Sequence, residues 1–254
     1  MERERIVASM KNSEFRRLDQ KKVSEIKNNF TGPLIAVIGA ASPGYEYVPQ
    51  LGIVAGYELR KLCKDKGYLF SGGVEGIGAD VFTGACIYAT QNKFPSKFFV
   101  VIPDNYTILD DSHNDLVVPY DISNTYKAIE RITDTECEIV RAGYEMSERR
   151  LYLSAIADVV IVINGGSGTF DEAKIALEFG KTVIALQSSG GAAEALCQWK
   201  MGYKPKAVDV KYRLKPFMET LSTKPSPEIA NKIIIAKNVP EMIGSLRTFI
   251  KTKL

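Results

Sequence analysis

Short apolar runs alternate with longer amphipathic stretches along the chain. The apolar runs are continuous rather than alternating, which is typical of parallel strands buried on both faces. Seven runs predict strands: Leu34–Gly39, Tyr68–Ser71, Phe98–Ile102, Cys137–Val140, Val159–Ile163, Thr182–Leu186 and Ile233–Ala236. The amphipathic stretches predict helices at about 49–66, 76–90, 145–157, 170–180, 190–200 and 240–252.

Repeated strand–helix units predict an α/β fold with right-handed crossovers. Their irregular spacing favours an open, doubly wound, mostly parallel Rossmann-like sheet of about seven strands with helices on both faces. Two segments fall outside this rhythm: residues 1–30 predict an N-terminal helical extension, and residues 104–135 form a long acidic insertion. The insertion is either a lid over a site or a solvated excursion. We therefore predict one domain over residues 31–254, preceded by the extension.

The composition indicates which class of protein and which cellular compartment to expect. Of 254 residues, 45% are hydrophobic and 25% are charged, and no apolar run approaches the roughly 20 residues of a membrane span. The first residues, MERERIVASMKNSEFRRLDQKK, are charged and do not resemble a secretory signal. The four cysteines are scattered without a CxxC pair, at Cys63, Cys86, Cys137 and Cys197. We therefore expect a cytoplasmic protein with no membrane partner.

The single histidine, His113, narrows the available chemistry. A zinc site would have to rest on dispersed cysteines, and a Ser-His-Asp or Cys-His mechanism would depend on this one residue. His113 lies in the polar run DDSHND, which reads as solvated surface. We accordingly expect neither a metal nor a cofactor.

Charge is distributed unevenly along the chain. Residues 200–254 carry 12 basic and 4 acidic side chains, whereas residues 29–199 carry 13 and 21. A basic segment can be the footprint of a nucleic-acid partner, but it can equally fold back on an acidic body or face water. The segment has no basic run interleaved with the aromatic residues that stack single strands, so we expect no nucleic-acid partner.

Turns rich in glycine and serine follow three of the predicted strands. In an open parallel sheet, ligands bind beyond the carboxyl ends of the strands, and free N–H groups at helix starts attract anions. The turns match neither the GxGxxG dinucleotide fingerprint nor a Walker loop. We predict a phosphate-binding edge formed by Ala41, Ser42, Gly72, Gly73, Gly76, Gly165, Gly166, Ser167, Gly168 and Thr169.

Two charged residues could carry chemistry at this edge. Arg149 shares a helical stripe with Tyr152, Leu153 and Ile156, so it should point inward, where it needs a phosphate or a carboxylate partner. A structural ion pair, or an exposed Arg149, is the alternative. Glu172 either caps its helix by reaching back to the N–H of Thr169, or presents a carboxylate to ribose hydroxyls or water. The spacing of the residues leaves these alternatives open.

The ordered motifs resemble a known family. Glu148-Arg149-Arg150, then Asp158 before a strand, then the run 165–172 (GGSGTFDE), is similar to the ERK and PGGxGTxxE motifs of lonely-guy proteins, members of the SLOG superfamily once described as lysine decarboxylase-like. The runs 39–42 (GAAS) and 71–78 (SGGVEGIG) resemble the same family's GSS and GGGxxGxM turns. The resemblance covers about residues 34–200.

This resemblance implies a nucleotide-binding protein. Lonely-guy enzymes are phosphoribohydrolases, which cleave the N-glycosidic bond of a nucleoside 5′-monophosphate to free base and ribose 5-phosphate. By position, Arg149 and Glu172 would be catalytic and loop 165–169 would hold the phosphate. The family further implies a homo-oligomer, a dimer or higher.

The chain also departs from the lonely-guy pattern. Asn164 stands where the PGG motif has proline, and the short stretch to Gly180-Lys181-Thr182-Val183 is more similar to molybdenum-cofactor carrier proteins. The alternative function is therefore a non-catalytic carrier or sensor of a phosphorylated small molecule, of molybdenum-cofactor or nucleotide type. A nucleic-acid-binding module that uses the basic segment 200–254 is a more distant third reading.

Overall fold

The structure, a computed structural model, describes residues 18–41, 47–64, 66–73, 76–95, 97–104, 137–203 and 224–253. Its strands are β1 (Leu34–Gly39), β2 (Tyr68–Ser71), β3 (Phe98–Ile102), β4 (Cys137–Arg141), β5 (Val159–Ile163), β6 (Thr182–Leu186) and β7 (Ile233–Ala236). Its α-helices are α1 (Gln20–Asn28), α2 (Pro49–Cys63), α3 (Ile77–Asn92), α4 (Met146–Ile156), α5 (Ser167–Glu178), α6 (Gly191–Lys200), α7 (Pro227–Lys232) and α8 (Val239–Lys253).

The seven strands form one parallel sheet in the order β4-β3-β2-β1-β5-β6-β7. The chain therefore builds outward from β1 in one direction, then returns to pair β5 with β1 and builds in the other direction. The α/β, doubly wound fold predicted from the sequence is confirmed. The sequence runs place six of the strands with their observed bounds, and β4 is one residue longer than predicted.

Side chains alternate along each strand between two apolar cores. On β1, for example, Ala36 and Ile38 face one core while Ile35 and Val37 face the other. Helices α1, α4, α5 and α6 cover the first core, and α2, α3 and α8 cover the second. Both faces of the sheet are therefore buried, which explains why the strands read as continuous apolar runs.

Helices α2 and α3 pack together at unusually short range. A Cβ at Gly56 would lie 1.8 Å from the carbonyl oxygen of Val81, and a Cβ at Gly84 would lie 1.8 Å from that of Ile53. Only glycine permits such contact between helix backbones. The close packing holds the first half of α3, the helix that follows the glycine turn after β2.

The described part of the predicted N-terminal extension, residues 18–30, packs against the body of the protein. The ammonium group of Lys27 lies 2.7 Å from the carboxylate of Asp158, which also accepts a hydrogen bond of 2.9 Å from the N–H of Leu34. The ring of Phe30 stacks on that of Phe99 with centroids 4.2 Å apart. Helix α1 is thus joined to the sheet by charge and by aromatic packing.

Two helices differ from the sequence prediction. Helix α5 begins at Ser167 rather than near residue 170, and α7 was not predicted. In the described part of the basic C-terminal segment, residues 224–253, the chain folds back onto the sheet as β7 and α8. None of the helices in the described ranges is both long and apolar enough to cross a membrane.

Several predicted features lie outside the described residues. These are Ser42, His113, residues 1–17, nearly all of the acidic insertion 104–135, and residues 204–223. The division into an extension and a single domain over residues 31–254 stays a prediction.

Candidate functional site

The three glycine-rich turns leave three neighbouring strands, β2, β1 and β5, at their carboxyl ends. The order of strands reverses between β1 and β5, and this is where open α/β sheets bind ligands. The turns after β1 and β2 touch: the N–H of Ile77 donates to the carbonyl oxygen of Ala40 at 3.2 Å. A Cβ at Gly76 would lie 2.4 Å from the oxygen of Ala41. The described residues of the turns after β1 and β2 thus form one surface.

A tyrosine holds the chain after the first turn in place. The hydroxyl of Tyr47 donates to the carboxylate of Asp80, in the first turn of α3, at 2.9 Å. Burial, and the hydrogen bond with Asp80, raise the pKa of Tyr47 well above its usual value. Tyr47 therefore stays protonated and keeps donating throughout the physiological range. It ties the start of α2 to the start of α3.

The turn after β5 has a backbone that few residues adopt. Asn164 has φ 51° and Gly165 has φ 103°, both in the left-handed region. The buried Ser189 fixes this turn from the end of β6. Its hydroxyl accepts from the N–H of Asn164 at 2.6 Å, and its carbonyl oxygen accepts from the side-chain amide of Asn164 at 2.6 Å. The sequence did not point to Ser189, because a lone serine 25 residues away carries no motif.

Helix α5 begins inside this turn without a side-chain cap. Its N-cap residue is Gly166, and the N–H of Phe170 donates to the oxygen of Gly166 at 3.0 Å. The N–H groups of Ser167, Gly168 and Thr169 precede that first helical hydrogen bond. They give the helix start the donors and the positive dipole end that attract an anion.

Arg149 points inward, as the sequence predicts. It is 4% exposed, and Tyr152, Leu153 and Ile156 on the same stripe are buried as well. Its Nη1 donates to Oε1 of Glu172 at 2.7 Å. The guanidinium also lies over the turn after β2, because a Cβ at Gly72 would come within 2.7 Å of Nη1. Gly72 therefore leaves the space that the arginine occupies.

Glu172 is part of this pair and does not cap its helix. The capping-box alternative is wrong, because α5 begins at Ser167, two residues before Thr169, and its N-terminus has no side-chain cap. The side chain of Glu172 is 9% exposed, and its main-chain oxygen accepts from the hydroxyl of Ser154 at 3.1 Å. The reason for the error is that an S/T-x-x-E spacing also fits a helix that starts further upstream.

Arg150 joins the cluster, although the sequence analysis gave it no role. Its Nε lies 4.0 Å from Oε1 of Glu172, which is beyond hydrogen-bond range. A Cβ at Gly168 would lie 2.6 Å from Nη2 of Arg150, so this guanidinium is beside the start of α5. Two adjacent arginines of one helix thus approach one carboxylate of the next.

The described residues offer few reactive groups besides the arginine–glutamate cluster. Within the described ranges, no three His, Cys, Asp or Glu side chains are grouped so that they could hold a metal ion. The four cysteines, all within the described ranges, form no disulfide with one another, and burial raises the pKa of Cys63 to about 11 and that of Cys197 to about 12. A cavity of about 690 Å³ between α2 and α3 is lined by residues such as Ile53, Thr83 and Ile87, away from the arginine pair.

Comparison with known proteins supports the family resemblance. Residues 123–213 match the SLOG cluster4 family, and this range includes Arg149, Glu172 and the turn after β5. The predicted resemblance to the SLOG superfamily is thereby confirmed. No curated protein sequence matches the chain.

Solved structures of similar fold cover most of the chain. The structural genomics target TM1055 has a TM-score of 0.55 and 19% identity, over 85% of this chain and 99% of its own. The molybdenum cofactor carrier protein from Chlamydomonas reinhardtii has a TM-score of 0.50 and 16% identity, over 87% of this chain and 99% of its own. At these identities the likeness extends to the fold.

Proposed function

We propose that this chain, which matches the SLOG cluster4 family over residues 123–213, binds a nucleoside 5′-monophosphate and hydrolyses its N-glycosidic bond. One observation carries the proposal: the buried ion pair of Arg149 and Glu172, 2.7 Å long, stands between the glycine turns after β2 and β5. A buried carboxylate and guanidinium cost stability compared with apolar side chains. Their position at the ligand-binding edge suggests that this cost serves chemistry.

The reaction needs neither a histidine nor a metal. The bond between C1′ of ribose and the base nitrogen breaks, and its electron pair leaves with the base. The oxygen of water bonds to C1′, and a proton from that water passes through Glu172 to the base. The carboxylate also stabilises the positive charge that develops at C1′, while Arg149 holds the carboxylate in position. The phosphate lies at the start of α5, near residues 165–169, with the turns after β1 and β2 around the ligand.

A non-catalytic carrier or sensor is the second candidate function. The structural neighbour from Chlamydomonas reinhardtii is a molybdenum cofactor carrier protein. In addition, Oε1 of Glu172 is already engaged by Arg149, as expected of a purely structural pair. In this case the same edge binds a phosphorylated small molecule stoichiometrically and releases it unchanged.

Incubation of the purified protein with AMP separates the two functions. We expect release of adenine and ribose 5-phosphate in equal amounts, measured by chromatography. Glu172→Gln and Arg149→Ala should each lower the rate by at least about 100-fold, because each removes a charge at the reacting centre. Glu178→Gln is the matched control, since it makes the same change at the other end of α5 and should leave the rate within about twofold.

Each outcome has a clear meaning. Release that persists in Glu172→Gln would contradict the assigned role of Glu172. No release from protein that binds AMP with a stoichiometry of one would favour the carrier, and the phosphorus and molybdenum content of protein as purified would then identify the class of its ligand. Light scattering during size-exclusion chromatography tests the homo-oligomer, which stays a prediction, as does the cytoplasmic location.

A further inference from the structure

We infer that Arg150 recognises the phosphate charge of the ligand, whereas Arg149 is committed to Glu172. This division of roles rests on the proposed function only insofar as the ligand carries a phosphate, so it applies to the hydrolase and to the carrier alike. It also assigns a specificity-determining role to a residue that the sequence motifs left without one.

The positions of the two guanidinium groups support this division. Arg149 donates to Glu172 at 2.7 Å and fills the space above Gly72. Arg150 is 4.0 Å from the same carboxylate and borders Gly168 at the start of α5. The side chain of Arg150 is 29% exposed, so a ligand can reach it, whereas that of Arg149 is 5% exposed.

The hydrogen bonding of Arg150 is incomplete. Its Nε is buried and has no hydrogen-bond partner among the described residues. Because Nε is enclosed, a ligand reaches Arg150 at the exposed part of its side chain, whose Nη2 borders Gly168 at the start of α5. An oxygen placed between Nη2 and the start of α5 would accept hydrogen bonds from both.

The electrostatics of the helix start identify the kind of acceptor. The N-terminus of a helix carries about half a positive charge, so a cation beside it is unfavourable unless an anion lies between them. Arg150 stands beside the start of α5, which has no side-chain cap, and Glu172 is already paired. A phosphate dianion offers the charge and the several oxygen acceptors that both the guanidinium and the N–H groups of Ser167–Thr169 require.

Isothermal titration calorimetry with four probes tests the inference: AMP and ribose 5-phosphate, each against its phosphate-free counterpart, adenosine or ribose. Arg150→Ala should weaken binding of both phosphorylated probes by about 10- to 100-fold, as expected for the loss of hydrogen bonds to a charged group. Binding of the phosphate-free probes should change by less than about threefold. Arg150→Lys should recover part of the affinity, because lysine keeps the charge but not the planar fork.

The controls make every outcome decisive. Lys174→Ala removes an exposed cation further along α5 and should leave all affinities unchanged, and thermal unfolding verifies that the variants are folded. If the wild-type protein binds neither phosphorylated probe, the proposed function fails, and this inference fails with it. If the wild type binds them and Arg150→Ala binds them equally well, the inference alone is overturned. Equal losses for phosphorylated and phosphate-free probes would also overturn it, since the role would then be structural.

Discussion

Replacing Glu172 with glutamine should destabilise the fold more than replacing Arg149 with methionine. Both residues form one buried pair, 2.7 Å long, yet their surroundings differ. Glu172→Gln leaves the guanidinium groups of Arg149 and Arg150 facing each other without their shared carboxylate. Arg149→Met leaves a carboxylate that Arg150, 4.0 Å away, can approach and partly neutralise.

The magnitudes follow from burial. The two side chains are 5% and 9% exposed, so solvent screens the pair little. Removing one partner of a buried ion pair costs about 3–5 kcal/mol, and we expect Glu172→Gln to fall in that range. Rescue by Arg150 should reduce the cost of Arg149→Met to about 1–3 kcal/mol. The double variant should cost at least about 1.5 kcal/mol less than the sum of the single costs, because it leaves neither charge of the pair buried without its partner.

Urea denaturation followed by circular dichroism measures these free energies of unfolding. Ser154→Ala provides the matched control, because it removes a neutral hydrogen bond between the same two helices, from the Ser154 hydroxyl to the oxygen of Glu172. Its cost should be about 1 kcal/mol. Additive effects of Arg149→Met and Glu172→Gln, within about 0.5 kcal/mol, would refute the pairing. A larger cost for Arg149→Met than for Glu172→Gln would refute the compensating role of Arg150.

Three further predictions test other parts of the site. Gly72→Ala should displace the Arg149 guanidinium, because the added Cβ would lie 2.7 Å from its Nη1. Since this disturbs the buried pair with Glu172, we expect urea denaturation to show a cost of about 1–3 kcal/mol, like that of Arg149→Met, and AMP turnover to fall at least about 10-fold; an unchanged stability would contradict the close approach. Asn164→Pro introduces the proline that the lonely-guy motif has at this position. We expect it to cost about 3 kcal/mol or more in the same denaturation assay, because proline cannot adopt φ 51° and has no N–H to donate to Ser189. An unchanged stability would contradict the left-handed turn. Burial raises the pKa of the Cys137 thiol to about 12. Because only the thiolate reacts, its alkylation rate, followed by mass spectrometry, should rise about tenfold per pH unit from pH 7 to 10. A plateau near pH 9 would indicate a thiol with an ordinary pKa.

The sheet was predictable because its physics is local. A strand buried on both faces must be apolar at every position, so the strands Val159–Ile163 and Phe98–Ile102 can be predicted from their own residues, without knowledge of the strands beside them. Helix α7 (Pro227–Lys232) was missed because six residues, none of them buried, show no amphipathic period. The start of α5 was misplaced because Gly166 has no side chain with which to signal a cap.

The site was predictable only in part, because its decisive contacts join distant residues. Helical spacing placed Arg149 inward, but it could not show that Glu172, 23 residues away, is its partner. The resemblance to the lonely-guy motifs covered both residues and implied a catalytic role for each, but it did not show that their side chains contact each other. Spacing also gave no reason to separate Arg150 from Arg149, because the position of Gly168 beside it depends on how α4 and α5 pack.

The pairing of Glu172 also defines what must change for turnover. A carboxylate that assists water has to face C1′ of the ribose, yet Oε1 accepts from Arg149 at 2.7 Å. A phosphate bound at Arg150 places negative charge near that carboxylate and offsets the attraction of this arginine for it, so phosphate binding changes the direction in which the carboxylate points. In a hydrolase this orientation is part of catalysis, and truncated substrates without phosphate should react more slowly even when saturating. A carrier should turn over neither compound. A maximal rate that is higher for AMP than for adenosine therefore supports the hydrolase, and the absence of turnover with both supports the carrier.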